Sequence, residues 1–125
     1  MNKYLKSTLI LLILDFLWIA LFMGKKYQQT IPKIQKENLK INQSSALIVY
    51  ILMIIGLNIF VVPNIRKENR LKDSLIYGFI FGIILYGVYD FTSGVVFKNW
   101  NFKLAIIDVI WGGFVYFISA YLGSV

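Results

Sequence analysis

The chain has 125 residues, 58% of them apolar and 15% charged, with a formal net charge of +7 and neither Cys nor His. A soluble domain carries about 25% charged residues, so this composition excludes a water-soluble fold, and the length suffices for a single domain. The absence of Cys and His excludes disulfides, thiol chemistry, His-held haem, zinc sites and His proton relays; no cofactor and no resident metal is expected, and oxygen-ligated cations alone stay open.

The 13 Lys and Arg residues sit between the apolar runs or at their ends. Such placement reads as membrane flanking, and no nucleic-acid partner is expected. The first apolar run covers residues 4–24. Lys3 and Lys6 lie at its start, as in a signal peptide, but Asp15 interrupts it and no small-residue cleavage site follows, so a retained helix is predicted. Residues 25–44 form a polar segment with five Lys, in which Pro32 breaks any long helix. The spacing of Tyr27, Ile31 and Ile34 suits either an amphipathic surface segment or an ordered loop.

The second run covers 45–62 and closes at Pro63-Asn64. A basic connector follows, Arg66 to Lys72. The third run covers 74–97, Lys98 to Asn101 form a turn, and the fourth run covers 102–123. Each is close to the ~20 residues that a helix needs to cross ~30 Å of hydrocarbon. Lipid offers no partner to backbone polar groups, so these runs are helices. They lack the alternation of barrel strands. The expected fold is all-α: a single-domain bundle of four transmembrane helices, in a multi-pass protein of a plasma, viral or host membrane. Tyr4, Tyr27, Trp100, Tyr116 and Tyr121 are placed in interfacial belts.

Orientation is nearly balanced. With the N-terminus inside, six basic residues face inward and seven outward. Termini inside is the preferred reading, because the basic connector sits tight against two helices. Gly78 and Gly82 form a small-xxx-small pair that lets helices approach closely. It serves either packing within one bundle or a homo-oligomer interface.

Three acids interrupt the runs: Asp15, Asp90 and Asp108. Each is costly in hydrocarbon, and such residues face a bundle interior or a water-filled cavity. Asp90 lies nine residues before Asn99 and Asp108 nine after it; Asp15 lies nine before Gly24. At 1.5 Å per residue, straight helices put all three roughly 13 Å below one face. Tyr89, Thr92 and Ser93 flank Asp90, and Tyr86 shares its helix face. Trp18 follows Asp15 by three, and Trp111 follows Asp108 by three. Three like charges at one level cannot all ionise in a dry site, so either some keep a proton or a cation sits among them. These nine residues are the candidate proton, ion or ligand site. The plainer alternative is packing glue, with carboxyls bonded to Trp, Tyr, Ser and Thr across the bundle.

The ordered set Asp15-x-x-Trp18, Tyr89-Asp90-Phe91-Thr92-Ser93, Trp100 and Asp108-x-x-Trp111-Gly112 resembles a family of small four-span membrane proteins. That family is predominantly bacterial, has some viral members and is catalogued as a domain of unknown function. The resemblance runs over essentially the whole chain. It implies the four-span fold and singles out the same aspartates, with no established activity. Ser93 stands where the family usually has Asn, which keeps a hydrogen-bonding group but loses the paired donor and acceptor of an amide.

Three functions compete. The first is a small proton- or cation-coupled transporter or channel. The second is a membrane enzyme acting on a lipid or isoprenoid, for which no nucleophile motif is evident. The third is an accessory partner of other membrane proteins. Expected partners are the bilayer itself, a proton, a cation or a lipid-like ligand.

Overall fold

The computed structural model describes residues 2–23, 43–96 and 100–125. The described residues are helical, with no strand among them. Four helices are long and apolar enough to cross a membrane: Lys3–Phe22, Ser44–Asn64, Lys67–Val96 and Phe102–Gly123. They are called the first to fourth helix below. The polar segment, with its Tyr27-Ile31-Ile34 spacing, and the Lys98-Asn99 turn fall outside the described residues.

The boundaries follow local chemistry. Asn2 starts the first helix by accepting the Leu5 N–H at 2.8 Å, and Asn101 starts the fourth by accepting that of Leu104 at 3.1 Å. Each satisfies a backbone donor that the helix leaves unpaired. The second helix ends in a 3-10 turn at Val62–Asn64, where Pro63 has no N–H to give.

The third helix begins earlier than the expected residue 74. The basic connector is itself largely helical, as a 3-10 turn at Lys67–Asn69 and an α-turn at Arg70–Asp73. The cause is Asp73, which accepts the Arg66 backbone N–H at 2.9 Å and its Nε at 3.0 Å. This pairing clamps the extended Ile65-Arg66 corner onto the helix, and the Asp73 carboxylate beside Arg66 raises the guanidinium's pKa further. Arg70 reaches the far end of the fourth helix, donating to the Ser124 hydroxyl at 3.1 Å and its carbonyl at 3.2 Å.

Polarity is inverted relative to a soluble protein. Large apolar side chains point outward on every helix, among them Phe16, Leu47, Val88 and Phe114. The buried polar set includes Ser7, Asp15, Asp90, Asp108 and Ser119. A bilayer solvates the first group, and the second must find partners inside.

Two zones divide the interior. Toward the end carrying both termini lies an apolar core of Leu11, Met53, Leu57, Val61, Val62, Ile65, Val115, Tyr116 and Ala120. Leu11 is fully buried there. Leu11→Ala is expected to lower stability by about 3 kcal/mol, read as an earlier melt in detergent. The other zone holds the carboxyls.

Tyr116 corrects an expectation. It is fully buried rather than at an interface, and its hydroxyl donates to the Met53 carbonyl at 2.9 Å. The Asn58 amide takes the Ile54 carbonyl at 3.0 Å and Thr8 Oγ at 3.0 Å. Those two carbonyls would otherwise serve the next turn of the second helix. That turn widens to a π-turn at Leu57–Val61, as expected where side chains compete for backbone acceptors. Trp100, also assigned to a belt, is buried beside Gly94.

The third and fourth helices make the tightest seam. A Cβ on Gly78 would lie 2.9 Å from the Tyr116 carbonyl, and one on Gly82 would collide with the backbone of Gly112 and Gly113. The Gly78/Gly82 face thus packs within the chain, the first of the two uses expected for it.

Candidate carboxyl site

Asp15 and Asp108 are joined to other helices by direct hydrogen bonds. The Tyr86 hydroxyl of the third helix donates to Asp15 Oδ1 at 2.6 Å. The Trp18 indole donates from Nε1 to Asp108 Oδ1 of the fourth helix at 3.0 Å. Asp15 is 4% exposed, Asp108 6% and Asp90 0%.

Helix geometry explains the partner of Tyr86. Cα–Cβ bonds tilt toward a helix's N-terminus, so Tyr86 leans away from Asp90, which follows it by one turn, and reaches the first helix instead. Its ring lies over Gly112, where any Cβ would strike it. Gly112 is therefore what lets the ring pass to Asp15. Tyr50 on the second helix also lies near Asp15.

The glycine seam fixes the relative height of Asp90 and Asp108. Gly82 seats on Gly112 and Gly113, and Gly78 on Tyr116 and Phe117. Continuing that antiparallel register brings Asp90 opposite Leu104 and Ala105. Asp108 lies about one helical turn, ~5 Å, further from the C-terminal end of the third helix. The two are staggered rather than level, because the seam is not centred on Asn99. Each Cα–Cβ bond tilts toward the other residue's level, which offsets part of the stagger. Among the described residues, no group of three His, Cys, Asp or Glu side chains is arranged to hold one metal ion.

The aromatic company is partly as expected. Trp18 and Trp111 stack with ring centroids 4.6 Å apart and planes 11° from parallel. Trp111 Nε1 is buried and has no hydrogen-bond partner among the described residues. The contrast is testable: Trp18→Phe removes a donor to a carboxyl and should lower stability by about 2 kcal/mol, whereas Trp111→Phe removes an unpaired donor and should cost far less. Thermal melts of both variants in one detergent check this.

The remaining candidates separate. Ser93 is buried but its hydroxyl returns to the Tyr89 carbonyl at 2.9 Å. Tyr89 is 55% exposed and Thr92 is exposed, both on the outward side of the third helix. The structure thus groups Asp15, Trp18, Tyr86, Asp108 and Trp111, keeps Asp90 and Ser93 on the inner face, and turns Tyr89 and Thr92 away. Tyr50 was absent from the sequence reading. Its signal was present: Tyr50, Ile54, Leu57, Asn58 and Val61 follow helical spacing, so the hydroxyl shares the inward face.

Four apolar helices with polar groups turned inward define a multi-pass integral membrane protein. The chain belongs to the family described as predicted membrane protein (DUF2177), whose model matches residues 1–125. No curated protein and no solved structure matches it.

Proposed function

We propose that the protein is a proton-coupled cation carrier in which Asp15 and Asp108 exchange a proton for a cation. One observation carries this reading. Two buried carboxyls on different helices are held by neutral donors, Tyr86 and Trp18, and no basic side chain among the described residues bonds to either. Buried carboxyls without a counter-ion take a proton or recruit a cation. Hydroxyl and indole donors tolerate both states, since a carboxyl oxygen accepts from them whether the group is charged or protonated. Exchange then balances: a cation enters as a proton leaves, and the site's charge is unchanged.

The test is proton release. Adding sodium, potassium or an organic ammonium ion to the detergent-purified protein in weak buffer should release protons in proportion to protein, and Asp108→Asn should suppress that release. Wild-type protein that releases no proton to any of these cations contradicts the reading.

A structural role is the second reading, and a specific observation favours it. Asp15–Tyr86 ties the first helix to the third, and Trp18–Asp108 ties it to the fourth. In that case neutralising either acid changes stability and no flux.

A further inference from the structure

A second set of polar groups lies toward the end that carries both termini. Ser7 and Ser74 are each 0% exposed, and neither hydroxyl has a hydrogen-bond partner among the described residues. Ser93 and Ser119 behave differently, returning their hydroxyls to carbonyls of their own helices. Asn58 spends its amide N–H groups on Thr8 Oγ1 and the Ile54 carbonyl, and its buried Oδ1 is unpaired as well. Buried polar atoms in folded proteins are almost always bonded, to protein or to water, so three such oxygens call for a partner.

Helix packing brings the three to one level. The Asn58–Thr8 bond sets Asn58 beside residues 7 and 8 of the first helix. Ser7 sits against Gly123, where an added Cβ would strike the serine side chain. The contacts of Gly82 with Gly112 and of Gly78 with Tyr116 fix the register of the third and fourth helices, and one turn further this register brings Ser74 opposite Ala120. Ala120 and Gly123 are about one turn apart, ~5 Å. The π-turn that contains Asn58 also packs on the Ser74–Phe79 stretch of the third helix. The first, second and third helices therefore each bring one unpaired oxygen to the last turns of the fourth.

The chemistry of these atoms selects the occupant. All three belong to neutral groups, and the charged residues next to them in sequence are already engaged: Asp73 by Arg66, and Lys6 by the Val125 carbonyl. An ion would find no counter-charge here. An acyl chain would leave all three oxygens unbonded at full desolvation cost. Water meets the need, since it can accept from both serine hydroxyls and donate to Asn58 Oδ1, and about three bonds are usual for a buried water.

We infer that Ser7, Asn58 and Ser74 form a buried water-binding site that ties the first three helices together at the end carrying the termini. It is separate from the carboxyl site, because the fully buried Leu11 lies between Ser7 and Asp15 on the first helix, and Val115 and Tyr116 lie between Asp108 and Gly123 on the fourth. It does not depend on the carrier reading.

The experiment is water-edited solid-state NMR on wild-type protein in lipid bilayers, joined to thermal melts of Ser7→Ala, Ser74→Ala and the double variant. Magnetisation from water should reach Ser7 and Ser74 well before it reaches Leu11 and Val115. Each single substitution removes a bond to the water and should lower the melting temperature by about 4 °C. The double variant should lose less than the sum, because both serines serve one water site. Transfer to Ser7 and Ser74 as slow as to Leu11 overturns the inference. So do alanine variants that melt at or above wild type, since removing a dry, unpaired hydroxyl relieves a cost. Strictly additive losses overturn the shared site.

Discussion

Gly82→Leu is expected to abolish the folded bundle. Even a Cβ at this position would collide with the Gly112 carbonyl and with Gly113, and backbone cannot rotate aside as a side chain can. Relief requires the third and fourth helices to separate along their whole seam. Separation also removes Tyr86 from its place over Gly112, and with it the bond to Asp15. Overpacking of a tight seam costs about 3 kcal/mol, and the lost buried hydrogen bond adds to it. Together these are a large fraction of a small protein's stability. Gly87 is the control. Its added Cβ would meet only Val109 Cγ1, at 3.9 Å, so Gly87→Ala should leave stability unchanged or raise it by up to about 1 kcal/mol. Thermal melts and elution profiles of the two variants in one detergent separate the cases. A Gly82→Leu protein that melts with wild type refutes the seam as described.

The second large effect concerns Asp108→Asn. The amide oxygen can still accept the Trp18 indole N–H, so the Trp18 contact and the Trp18–Trp111 stack are retained. What the substitution removes is the negative charge and the proton site. If the carboxyl only glues helices, the variant should match wild type in flux, and any effect is confined to the melt. If it exchanges a proton for a cation, coupled transport should fall by at least about tenfold while the melt moves little. Asp15→Asn follows the same logic, with Tyr86 still donating to the amide oxygen. The isosteric change therefore separates two readings that Asp→Ala would confuse, since alanine leaves the tyrosine and tryptophan donors buried and unpaired.

The fold was legible because a bilayer allows few solutions. Four apolar runs of spanning length require four helices, and the Phe102–Gly123 helix matches its expected bounds. The early start of the third helix was not legible, because its cause is the Arg66–Asp73 contact, made seven residues apart around a corner. Hydropathy cannot see such a contact. The aspartates were visible as costly residues, and their inward direction follows from that cost. Their relative height was not, because it depends on where Gly82 seats on the fourth helix and not on where the turn is centred.

The aromatic residues show the same division. Trp18 and Trp111 were marked by their spacing from Asp15 and Asp108; Trp18 bonds the aspartate of the other helix, across the bundle, whereas Trp111 Nε1 bonds neither. Tyr116 passed for an interfacial residue because it lies toward one end of its run. Helical spacing from Asp108 through Gly112 puts it instead on the buried stripe that includes Ser119 and Gly123. Tyr89 and Thr92 sit in one of the segments that carry the family resemblance, and they face outward. Nearness in sequence to Asp90 is not nearness on a helix face, and 100° per residue decides between them.

The central claim is that Asp15 and Asp108 carry a proton against a cation, and coupled flux in proteoliposomes tests it most directly. A pH gradient is imposed, uptake of sodium, potassium or an organic ammonium ion and proton efflux are followed together, and wild type is compared with Asp15→Asn and Asp108→Asn proteins of matched thermal stability. The account predicts that wild type exchanges the two ions and that both variants lose the exchange. Exchange that persists in either stable variant, or a wild type that moves neither ion, would contradict it and leave the aspartates as ties between helices.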